Sequence, residues 1–341
     1  MKFPYAATIA AIILTSQAAF AGGLFPKVVV TVAPLKPYVD EIMRGVGESQ
    51  NLLRPNQEAH DFALAPSQAQ MLEEADVVIV PDLEMSPMLK RLLAKKKLIV
   101  IELSKLEGAD PLPYAAQNPW LEAMKAKEKP KVEKAKPDVH DDHDHDAEKK
   151  AAKNKAPAND PHLWLDPERM AAMAAPLASA LGEKFPEARS SLVTNASVLS
   201  RHLRNEVMPQ LRAMLKNEPR MVDAVSKQQI PFITYHAAYQ YFLARFGLTH
   251  YGELTTRPEE KMGAQTKATL LSGAESIRVR CLIGEQSSIL MERIAKSTDA
   301  KIILLSPEQL VERTEVDTLD WIKNDYDRFI YTTTKTFSKC L

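Results

Sequence analysis

The chain is poor in cysteine, carries no excess of either charge, and has no apolar run long enough to cross a membrane. Each absence excludes something. Lys+Arg and Asp+Glu balance at 44 each, so nothing in the net charge points to nucleic acid or an acidic membrane surface. A membrane span needs about 20 apolar residues, and the apolar stretch near the start, from Ala6 to Leu14, is too short. With only two cysteines, Cys281 and Cys340, two readings stay open. They pair in an exported protein, closing a loop of roughly sixty residues and contributing a few kcal/mol, or they bind a metal. Their spacing is not a ligand spacing. There is also no HExxH segment of the kind that places two zinc ligands and a base on one helix.

What is present begins with the first 21 residues. Lys2, the apolar run and Ala19-Phe20-Ala21 have the form of a secretory signal cut after Ala21. No cysteine lies near the cleavage point, so no lipid anchor is indicated. This predicts a soluble, exported mature protein.

Along the remainder, continuous apolar segments alternate with helical ones. Lys27–Val32, Asp76–Val80 and Lys97–Glu102 read as buried strands, with a helix from Ser67 to Ala75 between. Ile230–Tyr235, Arg278–Gly284 and Lys301–Leu305 read as strands, with helices over Ala237–Phe246, Ala264–Ser272 and Ser288–Ser297. Continuous apolar strands interleaved with helices predict parallel sheets covered on both faces. Between the two groups lie a helix from Pro167 to Gly182 and one long helix from Pro186 to Lys216, which Pro209 threatens to kink. The expected fold is α/β, with two lobes joined by one long rigid helix and a cleft between them. The expected divisions are a signal at 1–21, a first lobe at 22–185, a linking helix at 186–216 and a second lobe at 217–341.

Residues 125–159 interrupt the first lobe. They are rich in Lys, Ala, Pro, Asp and His and hold almost no large apolar residue, so a disordered insertion is predicted. At its centre, PDVHDDHDHDA sets His140, His143 and His145 among Asp142, Asp144 and other aspartates.

Three other histidines share one kind of address. His60 follows a strand and precedes a helix, His162 stands just before the helix at Pro167, and His236 ends a strand. All three are placed where a ligand in the cleft would be met. Three neutral imidazoles with a fourth position favour Zn2+, whereas a site for Mn2+ would carry more carboxylate. His202 and His250 have no such address and are expected on the surface.

The segments Glu58-Ala59-His60-Asp61-Phe62, Asp160-Pro161-His162-Leu163-Trp164-Leu165-Asp166-Pro167 and Tyr235-His236-Ala237-Ala238-Tyr239 carry a resemblance. With them the chain resembles the periplasmic zinc-binding component of bacterial high-affinity zinc ABC transporters, within the metal-specific solute-binding proteins. The likeness extends over essentially the whole mature chain and includes the His-rich insertion. It implies two α/β lobes on a rigid helix, zinc ligation by His60, His162 and His236, and a Cys281–Cys340 disulfide. It also implies a periplasmic, monomeric carrier that delivers Zn2+ to the membrane permease of an ABC importer and is not an enzyme. His140, His143, His145, Asp142 and Asp144 would then gather or sense additional zinc.

One departure concerns the fourth ligand. Many relatives carry an acid before the proline near the end of the last strand, where this chain reads Leu305-Ser306-Pro307-Glu308. Water and Glu58 are the candidates for the vacant position. The alternatives to a zinc carrier are a manganese or iron carrier of the same fold and a periplasmic zinc hydrolase.

Overall fold

The computed structural model describes residues 26–96, 98–114, 159–217, 232–248, 250–310 and 318–341. The signal segment and the His/Asp tract lie outside the described residues, as does nearly all of the insertion.

The first lobe runs β1 (Val28–Val30), α1 (Leu35–Ile42), β2 (Ser49–Asn51), α2 (Pro66–Glu74), β3 (Val77–Val80), α3 (Pro87–Leu93) and β4 (Ile99–Glu102). Its sheet is parallel in the order β2-β1-β3-β4. Every residue of β1 and β3 is buried, which accounts for their unbroken valine and isoleucine runs. Pro66 opens α2 at a position where a missing N–H costs nothing, and Gln68 caps its first turn by accepting from Ala65 N–H.

Helix α4 (Pro167–Lys184) follows and packs along α5 (Arg189–His202). Asp166 caps α4 by accepting from the N–H groups of Glu168 and Arg169, and Pro167 takes the first helical position. The predicted long helix opens with a 3-10 turn at Pro186–Ala188 and is continuous from Arg189 to Asn217, with its hydrogen bonding changed midway. Leu203–Val207 forms a wider π turn, in which Met208 N–H bonds to the carbonyl of Leu203, and α6 (Met208–Asn217) continues beyond it. Pro209 supplies the reason: it has no N–H, and its ring crowds the preceding turn, which the wider turn relieves. The proline thus widens the helix without dividing it.

The second lobe runs β5 (Phe232–His236), α7 (Gln240–Phe246), β6 (Gly252–Thr255), α8 (Ala264–Ser276), β7 (Cys281–Gly284), α9 (Ile289–Thr298), β8 (Lys301–Leu304) and α10 (Asp325–Ser338). Its sheet is parallel in the order β6-β5-β7-β8, the same topology as the first. β6, α1, α3 and α10 were not among the predicted elements. Cys281, at the start of β7, is disulfide-bonded to Cys340 just past α10, tying the C-terminal helix to a core strand.

The lobes meet over a polar and aromatic seam. The Arg245 guanidinium places two nitrogens on the Asp166 carboxylate at 2.7 and 2.8 Å. Tyr241 donates to the carbonyl of Asp160 and accepts from Leu112 N–H. The indole of Trp164 donates to the carbonyl of Pro307 at 2.7 Å. In both lobes the carboxyl ends of the strands face this seam, where open α/β sheets bind ligands.

Candidate metal centre

His60, His162, His236 and Glu308 converge at the seam, all buried, with one donor atom of each lying within 4.8 Å of the others. Two come from each lobe. His60 lies in the loop between β2 and α2. His162 precedes the short 3-10 turn Leu163–Leu165 that leads into α4. His236 is the last residue of β5. Glu308 lies in the loop after β8, whose carbonyls are fixed by the indole of Trp164 at Pro307 and by the hydroxyl of Tyr239 at Leu305.

The donor atoms are aimed at one point. His162 Nε2 is 3.2 Å from His60 Nε2 and 3.5 Å from His236 Nε2. Glu308 Oε1 is 3.2 Å from His60 Nε2 and 3.9 Å from His162 Nε2. A tetrahedral ion with arms of about 2.0–2.1 Å separates its ligands by about 3.3–3.4 Å. Three of these four separations fall within a few tenths of an ångström of that edge, and the fourth is about half an ångström longer. The donor set of three imidazoles and one carboxylate therefore fits a small tetrahedral divalent ion.

Carboxylates behind the rings orient two of them. Asp160 Oδ1 accepts both the backbone N–H of His162 and its ring Nδ1, at 2.9 and 2.8 Å. Glu285 Oε1 stands 2.8 Å from Nδ1 of His236. Each contact turns Nε2 toward the centre, as a carboxylate behind a metal-binding histidine does. His60 Nδ1 is buried without a hydrogen-bond partner among the described residues. Gly284, the last residue of β7 and neighbour of Glu285, has no room for a side chain: a Cβ there would sit 2.8 Å from the Cβ of Tyr235 and 3.2 Å from the end of the Met291 side chain.

The metal-free electrostatics divide the rings. Burial holds His162 well below its usual value, reinforced by repulsion from His60 and His236. Burial also works against a charge on His236, but Glu285, Glu308 and Glu58 outweigh it and push the ring up to about 9. Glu285 is correspondingly lowered: burial opposes its charge and His236 more than compensates. Burial raises Asp160 well above the usual carboxylate range, and burial together with nearby Glu308 raises Glu58.

The three histidines chosen from the sequence are brought together; Glu58 is not the fourth member of the cluster. Its Oε1 instead accepts the backbone N–H of His60 at 3.1 Å, and Glu308 fills the remaining corner. Ser306 accepts the backbone N–H of Glu308 through its hydroxyl. Glu308 stands two residues beyond Ser306, and the signal that could have found it is an acid just past Ser-Pro. His202 and His250 are not free surface residues. His202 Nε2 lies 2.8 Å from Asp327, its Nδ1 lies 3.3 Å from Glu206, and His250 Nε2 lies 2.9 Å from Glu253. His140, His143, His145, Asp142 and Asp144 lie outside the described residues.

A family model described as the periplasmic component A of the zinc-uptake complex, ZnuA, matches residues 28–340. The high-affinity zinc uptake system protein ZnuA of Brucella abortus is 27% identical, over 82% of this chain and 83% of its own. Among solved structures, ZnuA superposes with a TM-score of 0.65 at 19% identity, covering 92% of this chain and 98% of that one. A Zn(II)-bound mutant variant of AdcAII from Streptococcus pneumoniae gives 0.63 at 19% identity, covering 91% and 98%. These structures share the two-lobed fold. The chain belongs to the ZnuA family of periplasmic zinc-uptake components.

Proposed function

We propose that this protein captures Zn2+ in the periplasm between its two lobes and delivers it to the membrane permease of an ABC importer. The observation that carries this reading is the convergence of His60, His162, His236 and Glu308 at separations that suit a tetrahedral ion. In this reading Glu308 is the fourth ligand, and Asp160 and Glu285 hold the rings of His162 and His236. Three imidazoles against a single carboxylate favour zinc over manganese. Ligation uses neutral imidazoles, so zinc competes with protons and binding weakens as pH falls. The protein acts as a monomer and performs no chemistry on its cargo. Residues 22–185 and 217–341 form the lobes, 186–216 the linking helix, and 1–21 the export signal removed at Ala21.

The tract around His140, His143 and His145, helped by Asp142 and Asp144, gathers further zinc at lower affinity. Chelation by a tethered tract costs ordering entropy, yet the tether raises the local ion concentration near the cleft. Counting bound zinc before and after deletion of residues 137–147 tests this: fewer ions are expected, and an unchanged count removes the tract from the mechanism.

The transport reading is tested in cells lacking the chain and grown with a chelator. Added zinc or the wild-type chain should restore growth, and a His60→Ala, His162→Ala, His236→Ala triple variant should not. Rescue by manganese or iron in place of zinc would support a carrier of another metal.

A further inference from the structure

Three of the four clustered side chains are tied to one short stretch of the second lobe. His236 ends β5, and Tyr239, three residues on, stands at the N-terminal boundary of α7. The Tyr239 hydroxyl donates to the carbonyl of Leu305 at 2.8 Å, in the loop that carries Glu308. Tyr241 and Arg245 stand four residues apart on α7, so they share one face of the helix. That face meets the loop that carries His162.

The two contacts bracket the histidine. Buried Tyr241 donates its hydroxyl to the carbonyl of Asp160 at 2.7 Å, two residues before His162. Arg245 grips the Asp166 carboxylate, four residues after His162, through two nitrogens. A loop that belongs to the first lobe by sequence is thus held at both ends by a helix of the second, the same helix that follows His236. Arg169 closes the arrangement from the other side. Its guanidinium carbon lies 5.0 Å from the centre of the Tyr241 ring, and its Nε lies 3.2 Å from Asp166. Neither Tyr241 nor Arg245 belongs to the metal cluster.

We propose that α7 sets which divalent ion the cleft accepts, with Tyr241 and Arg245 as positioning residues that hold His162 at a fixed distance from His236. The two Nε2 atoms are 3.5 Å apart, close to the edge of a zinc tetrahedron. Mn2+ favours an octahedral, oxygen-rich shell, so to accept it the two rings must part and admit water. His162 parts from His236 only at the expense of the Arg245–Asp166 or Tyr241–Asp160 bonds. The cost of opening falls on the larger coordination shell and not on the tetrahedral one. Specificity is that difference between two affinities, and a rigidly held ligand set enlarges it. This rests on the zinc-capture reading and adds to it the residues that discriminate among ions.

Competitive titrations of Zn2+ and Mn2+ into the metal-free protein, beside Tyr241→Phe, Arg245→Gln and Arg245→Lys, test the proposal. Circular dichroism identifies the variants that are folded. Tyr241→Phe and Arg245→Gln should each lose about ten-fold more affinity for Zn2+ than for Mn2+. Arg245→Lys keeps the charge without the two-pronged hold and should fall between these and the wild type. Co2+ serves as a spectroscopic probe, because its visible absorption is strong in a tetrahedral site and weak in a six-coordinate one. Those bands should weaken in Tyr241→Phe and Arg245→Gln. A helix that merely stabilised the fold would lower both affinities alike. An unchanged ratio of Zn2+ to Mn2+ affinity, or cobalt bands of wild-type strength, in folded variants would therefore overturn the proposal. Arg245 is only partly buried, so its variants decide the question where Tyr241→Phe does not fold. Failure of the underlying reading looks different: the wild-type protein itself would show no tight zinc binding.

Discussion

Glu308 Oε1 lies 3.2 Å from His60 Nε2, and Oε2 of the same carboxylate holds the N–H of Ala59, the residue just before that histidine. One acid from the second lobe thus grips a ligand loop of the first lobe at two points. Replacing it should loosen both the metal and the loop. Glu308→Gln should weaken zinc by more than about 100-fold, beyond the 10–100-fold typical of a partner behind a ligand. The loss should appear in the dissociation rate. Competitive titration and chelator-chase kinetics measure both quantities, and a wild-type dissociation rate in Glu308→Gln would remove Glu308 as the fourth ligand.

Asp160 and Glu285 act through the rings they face. Asp160→Asn and Glu285→Gln should each weaken zinc by about 10–100-fold while the fold is retained. Circular dichroism and competitive titration on the same samples check this. Wild-type affinity in both variants would show that ring orientation is set by packing alone.

His202 gives a prediction about stability and pH. Burial disfavours its charge, but the hydrogen bond and charge of Asp327, with Glu206 beside it, raise the ring above its usual value. A folded-state pKa above the unfolded one means that the pair stabilises the fold fully below the unfolded value, about 6.5. The contribution then fades as pH rises through the higher folded value. The stability difference between wild type and His202→Gln should therefore be larger at pH 6 than at pH 9, as measured by urea unfolding of metal-free protein. A difference that grows with pH would contradict the pairing with Asp327.

The disulfide makes a separate contribution. Cys281 and Cys340 are 59 residues apart, and closing a loop of that length stabilises a fold by about 4 kcal/mol in the chain-entropy account. The Cys281→Ser, Cys340→Ser double variant should unfold at correspondingly lower urea and still bind zinc once folded, because neither sulfur belongs to the metal cluster. Lost zinc binding in a folded double variant would tie the bridge to the site.

Much of this was legible in the residues because it depends on local pattern. Val77–Val80 and Cys281–Gly284 are continuous apolar runs, and a buried parallel strand has no other form. His60, His162 and His236 were recognisable by their places beside strand ends and helix starts. Glu308 was not, since its role depends on Trp164 and Tyr239 fixing a loop across the seam, a relation no local window contains. Helix α10 escaped notice for another reason. Its Tyr-Thr-Thr-Thr-Lys-Thr segment has low helix propensity, and the helix is held instead by its Asn324 cap and by the buried face of Tyr326, Phe329, Ile330, Thr333 and Phe337. His202 looked like a surface residue because its partner Asp327 is 125 positions away, on that same helix.

The central claim is that the inter-lobe cluster is the high-affinity zinc site. Competitive zinc titration of the purified protein beside His60→Ala, His162→Ala and His236→Ala tests it most directly. Each variant should lose tight binding while weaker sites in the His140–His145 tract persist. If the variants keep tight binding and only deletion of residues 137–147 abolishes it, the tract is the zinc site and the account of the cluster is wrong.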